Sequence, residues 1–161
     1  MQIIKKLWIL GLCLFLVSGC ALKHTISSSQ PYLITIKNSH MALSDTGFIN
    51  FGDAYTNVQI FSAGAILFNL EVSSDVCVDG QCLSRTQFNQ LFFNNEHYAT
   101  LIDDLLHMLP IYNKKNLLKT ENGFTQEINM PKSHIIYTVM DNLVTFRDNT
   151  NGVLIKLKPL Q

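Results

Sequence analysis

Four cysteines and five histidines are the residues of this chain best placed by type to do chemistry, and their spacing decides what kind. Cys77 and Cys82 bracket Val78-Asp79-Gly80-Gln81. Asp-Gly between β-forming residues predicts a type I′ hairpin, because both central residues must take positive φ. Val78 and Gln81 then form the hydrogen-bonded pair beside the turn. Cys77 and Cys82 become the next pair out, with Cα atoms about 4.5 Å apart, inside the range a disulfide tolerates. Turn and bridge predict each other. The loop closed is short, so the bridge pins the hairpin and aims the chain that leaves it more than it stabilises the whole. A metal pair or a redox dithiol is the rival use of two cysteines. The chain offers no second ligand pair at zinc spacing and no C-x-x-C.

The histidines, His24, His40, His97, His107 and His134, share no i, i+4 spacing. There is no H-E-x-x-H, no G-x-S-x-G, no P-loop and no Rossmann glycine pattern. Asp103 and Asp104 are adjacent on an expected helix and point about 100° apart, so they do not converge as an acid pair. Glu71 and Glu127 read as strand-surface carboxylates. The sequence therefore predicts no catalytic residues, no metal site and no enzyme.

The remaining thiols sit near the N-terminus. Lys5 and Lys6 precede the uncharged run Leu7 to Val17, which holds Cys13 and ends at Ser18-Gly19-Cys20. A basic n-region, an apolar h-region of this length and small residues before a cut describe a secretory signal. The run is too short to span a bilayer. Val17-Ser18-Gly19-Cys20 resembles the lipobox of bacterial lipoproteins. The resemblance implies that residues 1–19 are a removed signal peptide. It also implies that Cys20 is lipidated with diacylglycerol and an N-acyl chain such as palmitate. The acyl chains would make a stable membrane anchor, at about 0.8 kcal/mol per buried methylene. Ala21 rather than Asp follows the cysteine, which in the best-known sorting system implies the outer membrane. The expectation is a lipid-anchored, periplasm-facing protein that needs no other cofactor.

Removing residues 1–19 leaves 142 residues, enough for one domain with a real core. Lys5 and Lys6 leave with the signal, so ten basic residues face twelve acidic ones, a formal net charge of −2. No basic run exceeds Lys114-Lys115, so the chain predicts no nucleic-acid partner. With Cys13 discarded and Cys20 lipidated, Cys77 and Cys82 are an even pair in a compartment where disulfides persist.

Residues 20–31 contain Ser27-Ser28-Ser29 and end at Pro31, which reads as a flexible tether. Residues 32–161 read as one globular domain. Tyr32 to Lys37 alternates as a strand, and 38–57 reads as short strands and turns. Val58 to Ser73 predicts a hairpin turning at Ala63-Gly64, with Phe61 opposite Ile66 and one face continuing through Phe68, Leu70 and Val72. Ser84 and Gln87 make a capping box, with Leu83 and Phe88 as a staple. Phe88, Leu91 and Phe92 form the apolar side of that helix. Asn94-Asn95 breaks it. Tyr98, Leu101, Ile102, Leu105 and Leu109 then repeat at helical spacing until Pro110. Beyond it come strands around Asn122-Gly123, a hairpin at Asp141-Asn142 pairing Val139 with Val144 and Tyr137 with Phe146, and a last strand with Val153, Ile155 and Leu157 inward. The expected fold class is α+β: a mainly antiparallel, curved sheet with a two-helix insert.

Phe88, Phe92, Phe93 and Tyr98 cluster on the helical insert and read first as ordinary core that covers one sheet face; with Leu106 they are also the candidate lining of an apolar cleft, or of a surface that meets a partner. The order of elements is similar to the LolA/LolB-like half-barrels. That resemblance implies a curved sheet closed by helices over an apolar cavity, and a carrier or receptor for acyl chains or lipoproteins. The stretch Cys77 to Cys82 followed by Phe88 and Phe92 also looks like small campylobacterial lipoproteins of unknown function. Two functions follow: an interaction or assembly module that docks on an envelope protein, and a carrier with a lipid or acyl ligand. A filled core beside an exposed apolar patch would favour the first, and an open lined cavity the second.

Overall fold

The computed structural model describes residues 25–160. The expected signal peptide, Cys20 and residues 20–24 of the tether lie outside the described residues. Among the described residues eleven strands form one sheet: β1 (Ile26–Lys37), β2 (Ala42–Gly52), β3 (Tyr55–Ser62), β4 (Ala65–Val72), β5 (Val76–Val78), β6 (Gln81–Leu83), β7 (Leu117–Thr120), β8 (Gly123–Met130), β9 (Ser133–Met140), β10 (Leu143–Asp148) and β11 (Val153–Pro159). Two α-helices, α1 (Arg85–Phe92) and α2 (Leu101–Leu106), and a 3-10 turn at Tyr112–Lys114 lie between β6 and β7.

The strand order is β6-β5-β4-β3-β2-β1-β11-β10-β9-β8-β7. Each pair of neighbours is antiparallel. The first and last strands therefore meet in the middle, with Ile34 opposite Leu157. A meander runs outward on each side of that seam. Residues 84–116 leave one edge of the sheet and arrive at the other, so the helices lie on the path that bridges its two edges.

That path covers the apolar face. Ile34, Ile49, Ile60, Phe68 and Leu70 from one meander, and Ile128, Ile135, Tyr137, Val144 and Phe146 from the other, are buried with Phe88, Phe93, Leu101 and Leu105 from the helical segment. Arg85 ties the segment down at its start. It pairs with Asp103 and donates to the carbonyls of Ser73, Ser74 and Ala99. Asp104 instead accepts from the Tyr98 hydroxyl at 2.8 Å, so the two adjacent carboxylates serve separate contacts.

The α+β expectation is overturned. Strand takes 57% of the structure and helix 12%, so the fold is nearly all-β in one open sheet. The stretch from Tyr98 to Leu109, expected as one helix, keeps only Leu101–Leu106, because Met108 turns to φ 57°. Leu109, expected on the buried stripe, is exposed.

The strands gained are those whose polar residues disguised them. Residues 42–52 form one long strand although they hold Asn, Asp and glycines. Asn50 is satisfied within the sheet, accepting from Ser29 Oγ at 2.6 Å and donating to Asn57 Oδ1 at 3.0 Å. Gly47 is there because a Cβ would lie 2.2 Å from the Gln59 carbonyl oxygen. Residues 26–31, expected as tether, also pair with β2. Ser27 and Ser29 each bond into β2. Pro31 is tolerated because β11 pairs with β1 only from Tyr32 onward.

Candidate functional site

The capping box forms as expected: Gln87 N–H donates to Ser84 Oγ, and Ser84 N–H donates to Gln87 Oε1 at 3.1 Å. It fixes where α1 starts, and the hairpin before it fixes the direction. Cys77 and Cys82 are disulfide-bonded, opposite each other in the ladder with Cα atoms 3.9 Å apart. Asp79 and Gly80 take φ of 49° and 82°, the I′ turn the sequence predicts.

Between this hairpin, α1 and the β1–β2 turn lies a groove of about 240 Å³. Val78 and Leu83 come from the hairpin, Phe88, Leu91 and Phe92 from α1, and Asn38, His40 and Met41 from the turn. Asn38 builds the turn side. Its Oδ1 accepts from the backbone N–H groups of His40 and Met41, both at 2.9 Å. Its Nδ2 donates to the Phe92 carbonyl at 3.0 Å, which clamps the turn onto the end of α1. The amide is thus spent on the scaffold, and the groove presents apolar side chains. Leu91 is 50% exposed on its wall, while Phe88 and Phe92 are buried beneath it. Such a surface gains free energy by covering apolar groups and offers little to a charged ligand.

Of the five aromatic and leucine candidates, Phe88 and Phe92 meet in this groove, their rings stacked at 4.9 Å. Phe93 is fully buried and packs edge-on against Phe146 at 5.7 Å, so it fills the core. Tyr98 is half-buried against Tyr112. Leu106 is buried at a separate depression with Tyr32, Phe51 and Met108. Two of the five candidates thus meet in the groove, and the other three lie at separate places around the helices. Sequence reading missed Asn38, His40 and Met41 because a turn between long strands is brought to α1 only by the tertiary fold. Leu91 was visible on the apolar side of its helix.

A second buried cluster was also missed. Five donors converge on the Asp148 carboxylate: Ser133 Oγ, the backbone N–H groups of His134, Thr150 and Asn151, and Asn151 Nδ2. His97 Nδ1 lies 2.6 Å from the Tyr112 hydroxyl. His97 Nε2 faces Asp148 Oδ2 at 3.9 Å and makes no hydrogen bond. Burial lowers the His97 pKa, with the Asp148 charge opposing that effect. Burial raises the Tyr112 pKa to about 12, with Asp148 adding to it. Ser, His and Asp here resemble a hydrolytic set only by type, because Ser133 bonds to Asp148 and not to His97. The cluster anchors the 149–152 loop. Among the described residues no group of His, Cys, Asp and Glu is arranged to hold a metal, and no helix is long and apolar enough to cross a membrane.

A scan against protein-family models finds no match for this chain, and no curated protein matches it.

Proposed function

We propose that this chain is a lipid-anchored envelope lipoprotein of the outer membrane, facing the periplasm, that docks an apolar segment of an envelope protein in the groove beside its disulfide hairpin. It acts by binding and not by catalysis. The observation behind this reading is the filled core behind an open apolar wall. Phe93, Leu101 and Leu105 occupy the space between helices and sheet, while Leu91 stands exposed over Phe88 and Phe92. The anchor rests on the lipobox at Val17-Ser18-Gly19-Cys20, and the disulfide suits an oxidising compartment.

One observation favours a second reading, an acyl-chain carrier or receptor of the half-barrel kind. The helical segment joins both edges of the eleven-stranded sheet, and an apolar groove opens beside its first helix. An acyl chain would occupy that groove in place of a protein side chain.

Two experiments test the proposal. Cys20→Ala should release the protein from membranes; a variant still membrane-bound and acylated would sink the anchor. The soluble form, residues 21–161, purified without detergent from an oxidising compartment, should carry no fixed ratio of lipid by mass spectrometry. Stoichiometric acyl chains would replace docking with carriage.

A further inference from the structure

The outer face of the sheet gathers cations where its two meanders meet. Opposed residues in an antiparallel ladder share a face. Ile34, Ile36, Phe146, Ile155 and Leu157 are buried on the core face of β1, β10 and β11. The alternate positions face outward, away from the helices, and among them Lys37, Arg147, Lys156 and Lys158 are exposed. Lys37 and Arg147 stand on either side of Leu154, each opposite it in the ladder. Lys156 is two residues further along β11, between Thr35 and Thr145. Lys158 is two beyond that, opposite Leu33. Strands about 4.8 Å apart, rising about 3.3 Å per residue, place the four backbone positions within about 10 Å by 13 Å. No run of sequence shows this cluster, because Lys37 comes from the first strand and the others from the last two.

Among the described residues none of the four cations pairs with a carboxylate. Glu127 and Asp141 border the patch. Asp141 lies in the turn that follows β9, and Glu127 lies beyond Ile136 in the Arg147 row. Glu127 is two strands from Arg147, about 10 Å, and its Oε1 is 3.0 Å from His134 Nε2. At physiological ionic strength the Debye length is about 8 Å, so more distant carboxylates are largely screened. A chain of slightly negative net charge therefore presents a strongly positive face. Apolar side chains interleave with the cations. Leu33 and Leu154 are half-buried among them, and Ile136, opposite Arg147, is 38% exposed.

We infer that this face lies on the headgroups of an anionic phospholipid leaflet. Exposed cations with apolar side chains between them, on one open face, complement a surface with negative phosphates and an apolar interior. Each cation beside such a leaflet biases the orientation by about fivefold. The inference rests on the anchored reading for its choice of a lipid partner. Acyl chains on Cys20 would hold the leaflet six residues, about 20 Å at full extension, from β1, the strand that carries Leu33 and Lys37. With the patch on the leaflet, the helical segment on the opposite face turns toward the periplasm, where a protein can reach the groove beside α1.

The test uses the full-length lipidated protein in vesicles, with a fluorophore attached through Thr46→Cys or Leu109→Cys. Thr46 is exposed on the patch face, in the row that runs through Leu33 to Lys158. Leu109 is 49% exposed on the helical side. A headgroup-borne quencher in phosphatidylethanolamine–phosphatidylglycerol vesicles should quench the label at 46 several-fold more than the label at 109. In phosphatidylcholine vesicles the two should be quenched alike. Lys37→Gln, Arg147→Gln, Lys156→Gln and Lys158→Gln together should abolish the difference in anionic vesicles. All four side chains are exposed, so this variant should keep the thermal unfolding of the wild type. Equal quenching at 46 and 109 in anionic vesicles overturns the inference, and so does a difference that survives the four substitutions. So does a discrete protein adduct from a photoreactive residue at 46 in intact cells, which would mean an acidic protein partner. Failure of the anchor reads differently: the wild type would not float with phosphatidylcholine vesicles, while anionic vesicles should still quench the label at 46.

Discussion

Asn69 and Asp79 are joined twice, backbone to backbone and backbone to side chain, each at 2.8 Å. These two hydrogen bonds set the length of the disulfide hairpin's pairing with β4, which among the described residues reaches only Leu70, Glu71 and Val72. Asp79→Ala should lose the side-chain acceptor and strain a residue at φ 49°, costing about 1–2 kcal/mol in urea unfolding. Asp79→Asn keeps an acceptor and tolerates positive φ, and should lie within about 0.5 kcal/mol of the wild type.

The disulfide closes a loop with a sequence separation of five. The paired replacement Cys77→Ser, Cys82→Ser should cost about 2 kcal/mol, the low end for a bridge. Thiol labelling of the folded, mature, lipidated protein without reductant should find no free thiol; labelling at either cysteine would contradict the bridge.

Glycines at close approaches should tolerate no side chain. A Cβ at Gly123 would lie 1.9 Å from the Val139 carbonyl oxygen, whereas one at Gly64 would meet nothing within 4 Å. Gly123→Ala should abolish cooperative folding by circular dichroism. Gly64→Ala meets only the strain of φ 83° and should cost about 1 kcal/mol.

Gly123 also shows where sequence reading stops. Asn122-Gly123 looks like a turn pair, yet Thr120 pairs with Gly123, so the turn is Glu121-Asn122 and the glycine serves strand approach. The other turns read correctly because backbone conformation alone selects their residues. Ala63-Gly64, Asp79-Gly80 and Asp141-Asn142 all take positive φ, and Val139 pairs with Val144 and Tyr137 with Phe146 as expected. The outward face of Ile66 was not legible, because one extra residue in β4 reverses the alternation. Nor was the length of β2, since Asn50 and Asn57 satisfy each other only once both strands are in place. Half of the groove could be seen in the spacing of α1. The half supplied by Asn38, His40 and Met41 depends on a contact 54 residues apart in sequence, from Asn38 to Phe92.

His97 should make the fold acid-sensitive. Its pKa is lowered in the folded state from 6.5, chiefly by burial. The unfolded chain therefore binds the proton first, and stability present above about pH 6.5 is lost as pH falls through that value toward the folded pKa. Urea midpoints should drop between about pH 7 and about pH 5, and His97→Gln should flatten that part of the slope. An unchanged slope would place the acid sensitivity elsewhere.

The most direct measurement is photo-crosslinking in intact cells from position 91 of the full-length protein. A photoreactive amino acid replaces Leu91 on the groove wall. The control replaces Leu118, which is 67% exposed on the opposite edge of the sheet. A discrete protein adduct is expected at position 91 and none at 118. No protein adduct at 91, the same adduct at both positions, or lipid as the sole adduct would contradict docking of an envelope protein in the groove.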